Sequence, residues 1–427
     1  MKSKWLMFIF IGLMAAFLIV GCGPSPVDDD DDDAANGVDL ETHTIVGLFP
    51  LTGVLSTFGE NSSEVAKLAA ADVNEWLEAE GKNWRLRLEI DDTATEGPVG
   101  LTKMQSWYGE GVKFFAGPQA SGVAQELLSF ANSNQILYIS PSSTSPALSI
   151  ADDWLFRFCT TDEVQGPAIA AVAEAAGVEH LIFGWRGDTW GDGLQGAAAA
   201  SLAGLGIEAN PNLLRYDPLQ EAFTSEAALL DGYVTEAVAD GVPLDKIGFN
   251  VIGFEEVIPF MVEASKYPQL REIQWIGSDG TAFSEALIQT PVAAQFAYDV
   301  KYINSMNKPA ELTAESNFDP VRDHIQELLG RETDAYSYNT YDIIWVLAMC
   351  IDQVGYDSVA AKEILPEVTK EWTAVYAASG YIELNEYGDR GFADYNYVML
   401  TEGLDDWMIP GYFDGLTMEI IWETPVF

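Results

Sequence analysis

The chain is poor in the residues that most catalytic centres need. It holds three histidines and three cysteines among 427 residues. His43, His180 and His324 are scattered, and no nucleophile motif stands beside any of them. Cys22, Cys159 and Cys350 are too widely separated for a zinc spacing. Neither a P-loop nor a dinucleotide glycine pattern occurs. These gaps argue against a metal, a cofactor and an enzymatic activity. Basic residues are scarce as well: 21 Lys and Arg stand against 66 Asp and Glu, for a formal charge of −45. A field of that sign repels phosphate backbones and anionic lipid, which excludes nucleic acid as a partner. Beyond the N-terminus, no apolar run approaches the ~20 residues of a membrane span.

What is present begins at the N-terminus. Lys2 and Lys4 precede an uncharged apolar run from Trp5 to Val20, the pattern of an export signal. Ile19-Val20-Gly21-Cys22 closes it in the manner of a lipobox, so residues 1–21 are expected to be a lipoprotein signal peptide and Cys22 the lipidated residue. Residues 22–42 read as an acidic tether, because the aspartate run Asp28–Asp33 repels itself and stays extended and solvated. The body is thereby placed outside the cytoplasm, held to the outer face of the cell membrane. With Cys22 lipidated, Cys159 and Cys350 are expected as buried thiols, a disulfide between them being the alternative. With 48% hydrophobic residues the body can bury substantial cores. Its length, roughly 385 residues, suits two domains better than one.

From residue 44 the pattern alternates strand and helix. Thr44–Phe49 is a short apolar strand, and residues 61–80 recur at helical spacing through Val65, Leu68, Val73 and Leu77. Strands follow at 85–90, 112–116 and 136–140, with helices near 98–110 and 121–133 between them. The rhythm restarts after residue 161. Helices are predicted at 165–176, 191–204, 219–240 and 255–267, and strands at 181–184, 247–252 and 273–277. Repeated βα units imply α/β architecture: two doubly wound parallel-sheet lobes. Ligands of such sheets bind beyond the carboxyl ends of the strands. The loops there are Gly117-Pro118-Gln119-Ala120-Ser121-Gly122, Pro141-Ser142-Ser143-Thr144-Ser145-Pro146 and Ser278-Asp279-Gly280. Small residues at helix N-termini offer free N–H groups to a carboxylate, and a lone acid suits an ammonium. An α-amino acid requires both. Each loop taken alone reads better as ordinary turn and capping chemistry; their joint occurrence at one sheet end shifts the balance towards a ligand.

These residues resemble those of the type I periplasmic solute-binding proteins, specifically the leucine/isoleucine/valine-binding family of ABC transporters. The resemblance runs from about residue 44 onward. It is carried by Gly47-Leu48-Phe49-Pro50-Leu51-Thr52-Gly53 with Phe58-Gly59, Ala70-Ala71-Asp72-Val73-Asn74, Ile139–Leu148, Gln165-Gly166-Pro167-Ala168 and Tyr341-Asp342. It implies two lobes joined by a three-crossing hinge, with lobe 1 at 43–160 plus 298–377 and lobe 2 at 161–297 plus 378–427. It also implies residue roles. Ser121 matches a serine on the ligand carboxylate, and Ser142 and Thr144 match the pair that binds carboxylate and amino group. Asp279 matches the acid facing the ammonium, and Asp162 falls in a hinge-side loop that often holds a polar contact. Phe58, Trp190 and Phe254 match aromatics around the side-chain pocket. For these three, packing at the lobe edges is the other reading, and for Asp162 it is a helix cap. Trp185 and Tyr341 are expected to be structural.

The chain departs from the family where Phe58, Trp190 and Phe254 replace tyrosines and Asp279 replaces a glutamate. The shorter acid has less reach and the Trp takes more volume, so an α-amino-acid head group is still expected to bind while leucine is not the expected ligand. The resemblance implies a lipid-anchored substrate-binding protein of an ABC importer, with a small amino-acid-like ligand of the branched-chain type and permease subunits as partners. A sensor for a separate signalling partner, or a receptor for a small amide, urea-like or carboxylate solute, are the alternatives. No second anchor is expected after the body, an expectation that favours transport over a covalently linked sensor. Asp162 and Asp279 would suit acid–base chemistry, but without a nucleophile–histidine pair a binding role is expected.

Overall fold

A computed structural model describes residues 40–310 and 312–427. The signal peptide, Cys22 and nearly all of the acidic tether lie outside the described residues.

The first lobe is built from β1 (Glu41–Phe49), α1 (Ser56–Ala79), β2 (Trp84–Asp92), α2 (Gly97–Gly109), β3 (Phe114–Ala116), α3 (Ser121–Asn134), β4 (Leu137–Ser140) and β5 (Leu155–Arg157). Its five strands are all parallel, in the order β2-β1-β3-β4-β5. The interior strand β1 shows why the sheet needs helices on both faces. Successive side chains of a strand point to opposite sides, and both sides of β1 are apolar. Val46 and Leu48 enter a core with Met104 and Leu127, whereas Ile45 and Phe49 enter a second core with Leu347 and Ile351. A parallel strand buried on both faces reads as a continuous apolar run.

The second lobe continues with α4 (Asp162–Ala175), β6 (His180–Arg186), α5 (Thr189–Ser201), β7 (Glu208–Tyr216), α6 (Thr224–Ala239), β8 (Ile247–Ile252), α7 (Val257–Ala264), β9 (Gln274–Ile276), α8 (Glu285–Ile288) and α9 (Pro291–Asp299). Its strands are also parallel, in the order β7-β6-β8-β9. Next come β10 (Asn304–Asn307), then α10 (Phe318–Leu329), α11 (Ala335–Val354) and α12 (Ser358–Thr373), and finally β11 (Tyr395–Leu400), β12 (Trp407–Asp414) and β13 (Glu419–Trp422). The helices α10 to α12 pack on the first lobe through Val321, Leu347 and Leu365. Strands β10 to β13 form an antiparallel sheet, joined to the second lobe by a parallel bridge between Ile303 and Ile276. The chain therefore passes between the lobes three times, near 158–161, 308–317 and 374–394.

The α/β architecture is that expected. The helix predicted at 219–240 begins later, at Thr224, because the chain first makes a turn that buries Phe223. Strand β7 and the antiparallel sheet were not anticipated. Strand β7 carries Pro211 and a register shift, and β10 is the polar run Asn-Ser-Met-Asn.

Candidate functional site

The loops after β3, β4 and β9 meet between the lobes. After β3 the chain turns sharply at Gly117, whose φ is +99° and where a Cβ would lie 2.3 Å from the Leu48 carbonyl oxygen. Only glycine fits that turn without strain. The turn delivers Ala120 and Ser121 to the start of α3, which no side chain caps. After β4, the Ser140 hydroxyl accepts from the Ser143 N–H at 2.9 Å and donates to the Pro118 carbonyl at 2.5 Å. Ser142 Oγ donates to the Gln119 carbonyl at 3.1 Å. The two loops are thus laced together before any ligand is considered.

A buried arginine holds that lacing from behind. Arg157 donates through Nη1 to the carbonyls of Ser143 at 2.8 Å and Ser145 at 2.7 Å. It forms a bidentate pair with Asp389 on the third crossing, at 2.6 and 2.7 Å, and reaches Ser149 Oγ at 2.8 Å. All five guanidinium N–H groups are used, which is what allows a fully buried cation to persist.

A cavity lies between the lobes, with about 270 Å³ of atom-free space counting what is open to solvent. The first lobe contributes Leu55, Phe58, Gln119, Ala120, Ser121 and Ser142. The second lobe contributes Trp190, Phe254, Asp279 and Gly280, and Tyr336 on α11 completes the wall. Six of the residues singled out from the sequence are therefore together: Phe58, Ser121, Ser142, Trp190, Phe254 and Asp279. Thr144 and Asp162 do not line the cavity but are near it, and the Thr144 carbonyl accepts from the Asp162 N–H at 2.9 Å. Trp185 donates to Asp192, and Tyr341 to Asp72, both away from the cavity. Cys159 and Cys350 are buried and unpaired.

Asp279 is held by two donors. Tyr336 donates its hydroxyl to Oδ2 at 2.6 Å, and Gln165 donates Nε2 to Oδ1 at 2.9 Å. Because α11 packs on the first lobe, the tyrosine bond spans the cleft. Burial raises the Asp279 pKa, and these donors hold it down in part. Asp162 is fully buried, and neither carboxylate oxygen has a well-formed hydrogen bond. Burial pushes its pKa well up; the Thr144 and Trp190 side chains beside it oppose that, and the charge of Asp279 adds to it. Thr144 Oγ1 is likewise buried without a partner. Unsatisfied buried polar groups are costly, and here two of them sit beside the cavity.

The sign of the pH effect follows. A carboxyl whose folded pKa is raised favours folding below its ordinary value, near 3.8, and that contribution is lost as pH rises through the raised value. An ammonium brought to Asp279 favours its charged form and expels a proton. Ligand affinity should therefore rise with pH across this window and then level off. Calorimetry in buffers of different ionisation enthalpy checks this, and equal apparent enthalpies in all buffers would contradict it.

Residues assigned no site role from the sequence are Leu55, Gln119, Gln165 and Tyr336, although Gln165 stands in a motif that carries the family resemblance. Gln119 lay inside a quoted loop; its Nε2 donates to Ser62 Oγ and the Phe58 carbonyl. Tyr336 had one local signal, the Asp334 cap that accepts from its N–H at 3.0 Å and starts α11.

The sequence matches the periplasmic binding protein family over residues 42–385. It is 31% identical over 398 residues to an uncharacterised protein of Methanocaldococcus jannaschii, covering 88% of this chain and 90% of the relative. A Leu/Ile/Val-binding protein homologue of Brucella abortus is 31% identical over 118 residues, 27% of this chain and 31% of its own. Among solved structures, a leucine-binding protein of Thermotoga maritima superposes with a TM-score of 0.67 at 19% identity, covering 87% of this chain and 98% of its own. A Rhodopseudomonas palustris solute-binding protein in complex with benzoate gives 0.69 at 14% identity, covering 87% and 96%. No helix among the described residues is long and apolar enough to cross a membrane. The chain belongs to the periplasmic binding protein family, with the type I fold of the Leu/Ile/Val-binding substrate-binding proteins of ABC transporters.

Proposed function

We propose that this protein captures a small amino-acid-like solute between its lobes and presents it to an ABC permease. The observation that carries the reading is one cavity with opposite polar ends. The uncapped start of α3, with Ala120 and Ser121, faces it from one lobe, and Asp279 faces it from the other. A helix N-terminus favours a carboxylate, and a buried aspartate favours an ammonium. Ser142 adds a head-group contact in this reading, with Thr144 and Asp162 behind the cavity wall, while Phe58, Trp190 and Phe254 surround the side chain. Ligand bridging both lobes favours the closed state by its differential affinity. Lipidated Cys22 tethers the body outside the cell through the acidic segment.

A thermal-shift screen of the full chain in detergent tests this reading. The panel holds the standard amino acids, small amides, urea, dicarboxylates and sugars. A ligand at 100 times its dissociation constant adds about 2.7 kcal/mol of stability. A shift confined to α-amino acids is the expected result. A shift from amides or dicarboxylates alone would remove the ammonium role from Asp279.

A further inference from the structure

We infer that the cavity selects amino acids with compact side chains, of the size of glycine, alanine or serine, and excludes branched-chain ones. The inference rests on the amino-acid reading above and narrows it. Its determinant is an aromatic stack that occupies the side-chain end of the cavity.

Trp190 and Phe254 stack with their ring centroids 4.5 Å apart and their planes 8° from parallel. Both line the cavity, and both are buried. The stack has room because the residue after Asp279 is a glycine. A Cβ at Gly280 would lie 2.8 Å from Trp190 Cη2 and 2.9 Å from Phe254 Cδ1. The rings therefore press against the backbone that presents the acid, which brings the aromatic ceiling down onto the head-group site.

The stack is also fixed. The Arg186 guanidinium carbon lies 4.0 Å from the Phe254 ring centroid, a cation–π contact. Arg186 is itself buried and paired with Glu256 at 2.6 Å and Asp188 at 2.6 Å. Glu256 accepts from the Phe254 N–H at 3.1 Å and from the Tyr216 hydroxyl at 3.2 Å. Asp188 accepts from the Trp190 N–H at 3.1 Å. One arginine thus joins the two carboxylates that hold the backbone of the two rings. Phe254's backbone cannot shift without disturbing a buried ion pair, and its ring cannot swing away without losing the cation–π contact.

Across the cavity, Phe58 and Tyr336 meet edge to face at 6.1 Å. Tyr336 is tied to Asp279, so that wall does not recede while the lobes are closed. The space left, about 270 Å³, includes volume open to solvent. The room enclosed between these walls is smaller than that figure.

Calorimetric titration of the full chain in detergent with glycine, alanine, serine, valine and leucine tests the inference. Alanine or a neighbour in size should bind, with leucine roughly 100-fold weaker, the range expected for added methylenes against a rigid wall. Trp190→Ala should bring leucine to within tenfold of alanine, and Trp190→Phe, which keeps a ring in the stack, should move the ratio the same way by less. Leucine binding the unaltered protein as tightly as alanine overturns the inference and leaves the amino-acid reading intact. So does a leucine-to-alanine ratio unmoved in both variants. If no α-amino acid binds while an amide or dicarboxylate does, the amino-acid reading falls and this inference falls with it.

Discussion

Asp279→Ala should weaken binding of an ammonium-bearing ligand by about 2–5 kcal/mol, the cost of removing one partner from a buried charge-assisted contact. That is roughly 30-fold to several-thousand-fold in dissociation constant. Two effects add in this variant. The ligand loses its counter-charge, and Tyr336 loses the acceptor that links α11 to the second lobe at 2.6 Å. Asp279→Asn separates them. The amide keeps an oxygen for the tyrosine but carries no charge, so lobe closure is retained while the ammonium contact is weakened. The expected order of affinity is wild type, then Asp279→Asn, then Asp279→Ala. Titration calorimetry measures the three. An affinity for a cationic-amine ligand unchanged in Asp279→Ala would take Asp279 out of the site.

The elements that position Asp279 were legible for a local reason. Strand β8 was read at 247–252 and is found at Ile247–Ile252, and β9 was read at 273–277 and is found at Gln274–Ile276. Both are apolar runs bounded by loops, so periodicity and length sufficed. Ser121, Ser142 and Asp279 then follow from one rule, that ligands gather beyond the carboxyl ends of parallel strands. Tyr336 obeys no such rule. It stands at the start of α11, after the chain has returned to the first lobe, and only tertiary packing brings it to Asp279. That packing is itself non-local: Asn61 Nδ2 donates to Asp334 at 2.8 Å across 273 residues. The antiparallel sheet was hidden for another reason. Strand β10 is polar and pairs with β11 nearly ninety positions on, so neither alternation nor a short hairpin announces it. Thr144 and Asp162 lie between these cases. Their proximity comes from a single backbone hydrogen bond across the first crossing, and sequence spacing does not reveal it.

Arg157 shows the same limit most sharply, and it supports the second large prediction. In the sequence it interrupts an apolar strand, Phe156-Arg157-Phe158, where a charge has no evident purpose. In the fold it is fully buried, and its partner Asp389 arrives from 232 residues away on the third crossing. Arg157→Met keeps most of the apolar stem and removes the guanidinium. It leaves Asp389 buried without its bidentate partner and releases the carbonyls of Ser143 and Ser145. Breaking a buried pair in this way costs about 3–5 kcal/mol. Urea unfolding of wild type and variant should show that loss. Replacing both partners, Arg157→Met with Asp389→Leu, should recover part of it, because no uncompensated charge then remains. A double variant as unstable as the sum of the two single ones would show that the residues act independently, against the geometry. Ligand titration adds a second readout. Asp389→Asn retains one oxygen acceptor for Arg157 and leaves the arginine's own bonds to the Ser143 and Ser145 carbonyls available. It should therefore keep more affinity than Arg157→Met at equal loss of stability. Equal affinities would mean that Arg157 steadies the hinge without shaping the loop that Ser142 and Thr144 stand on.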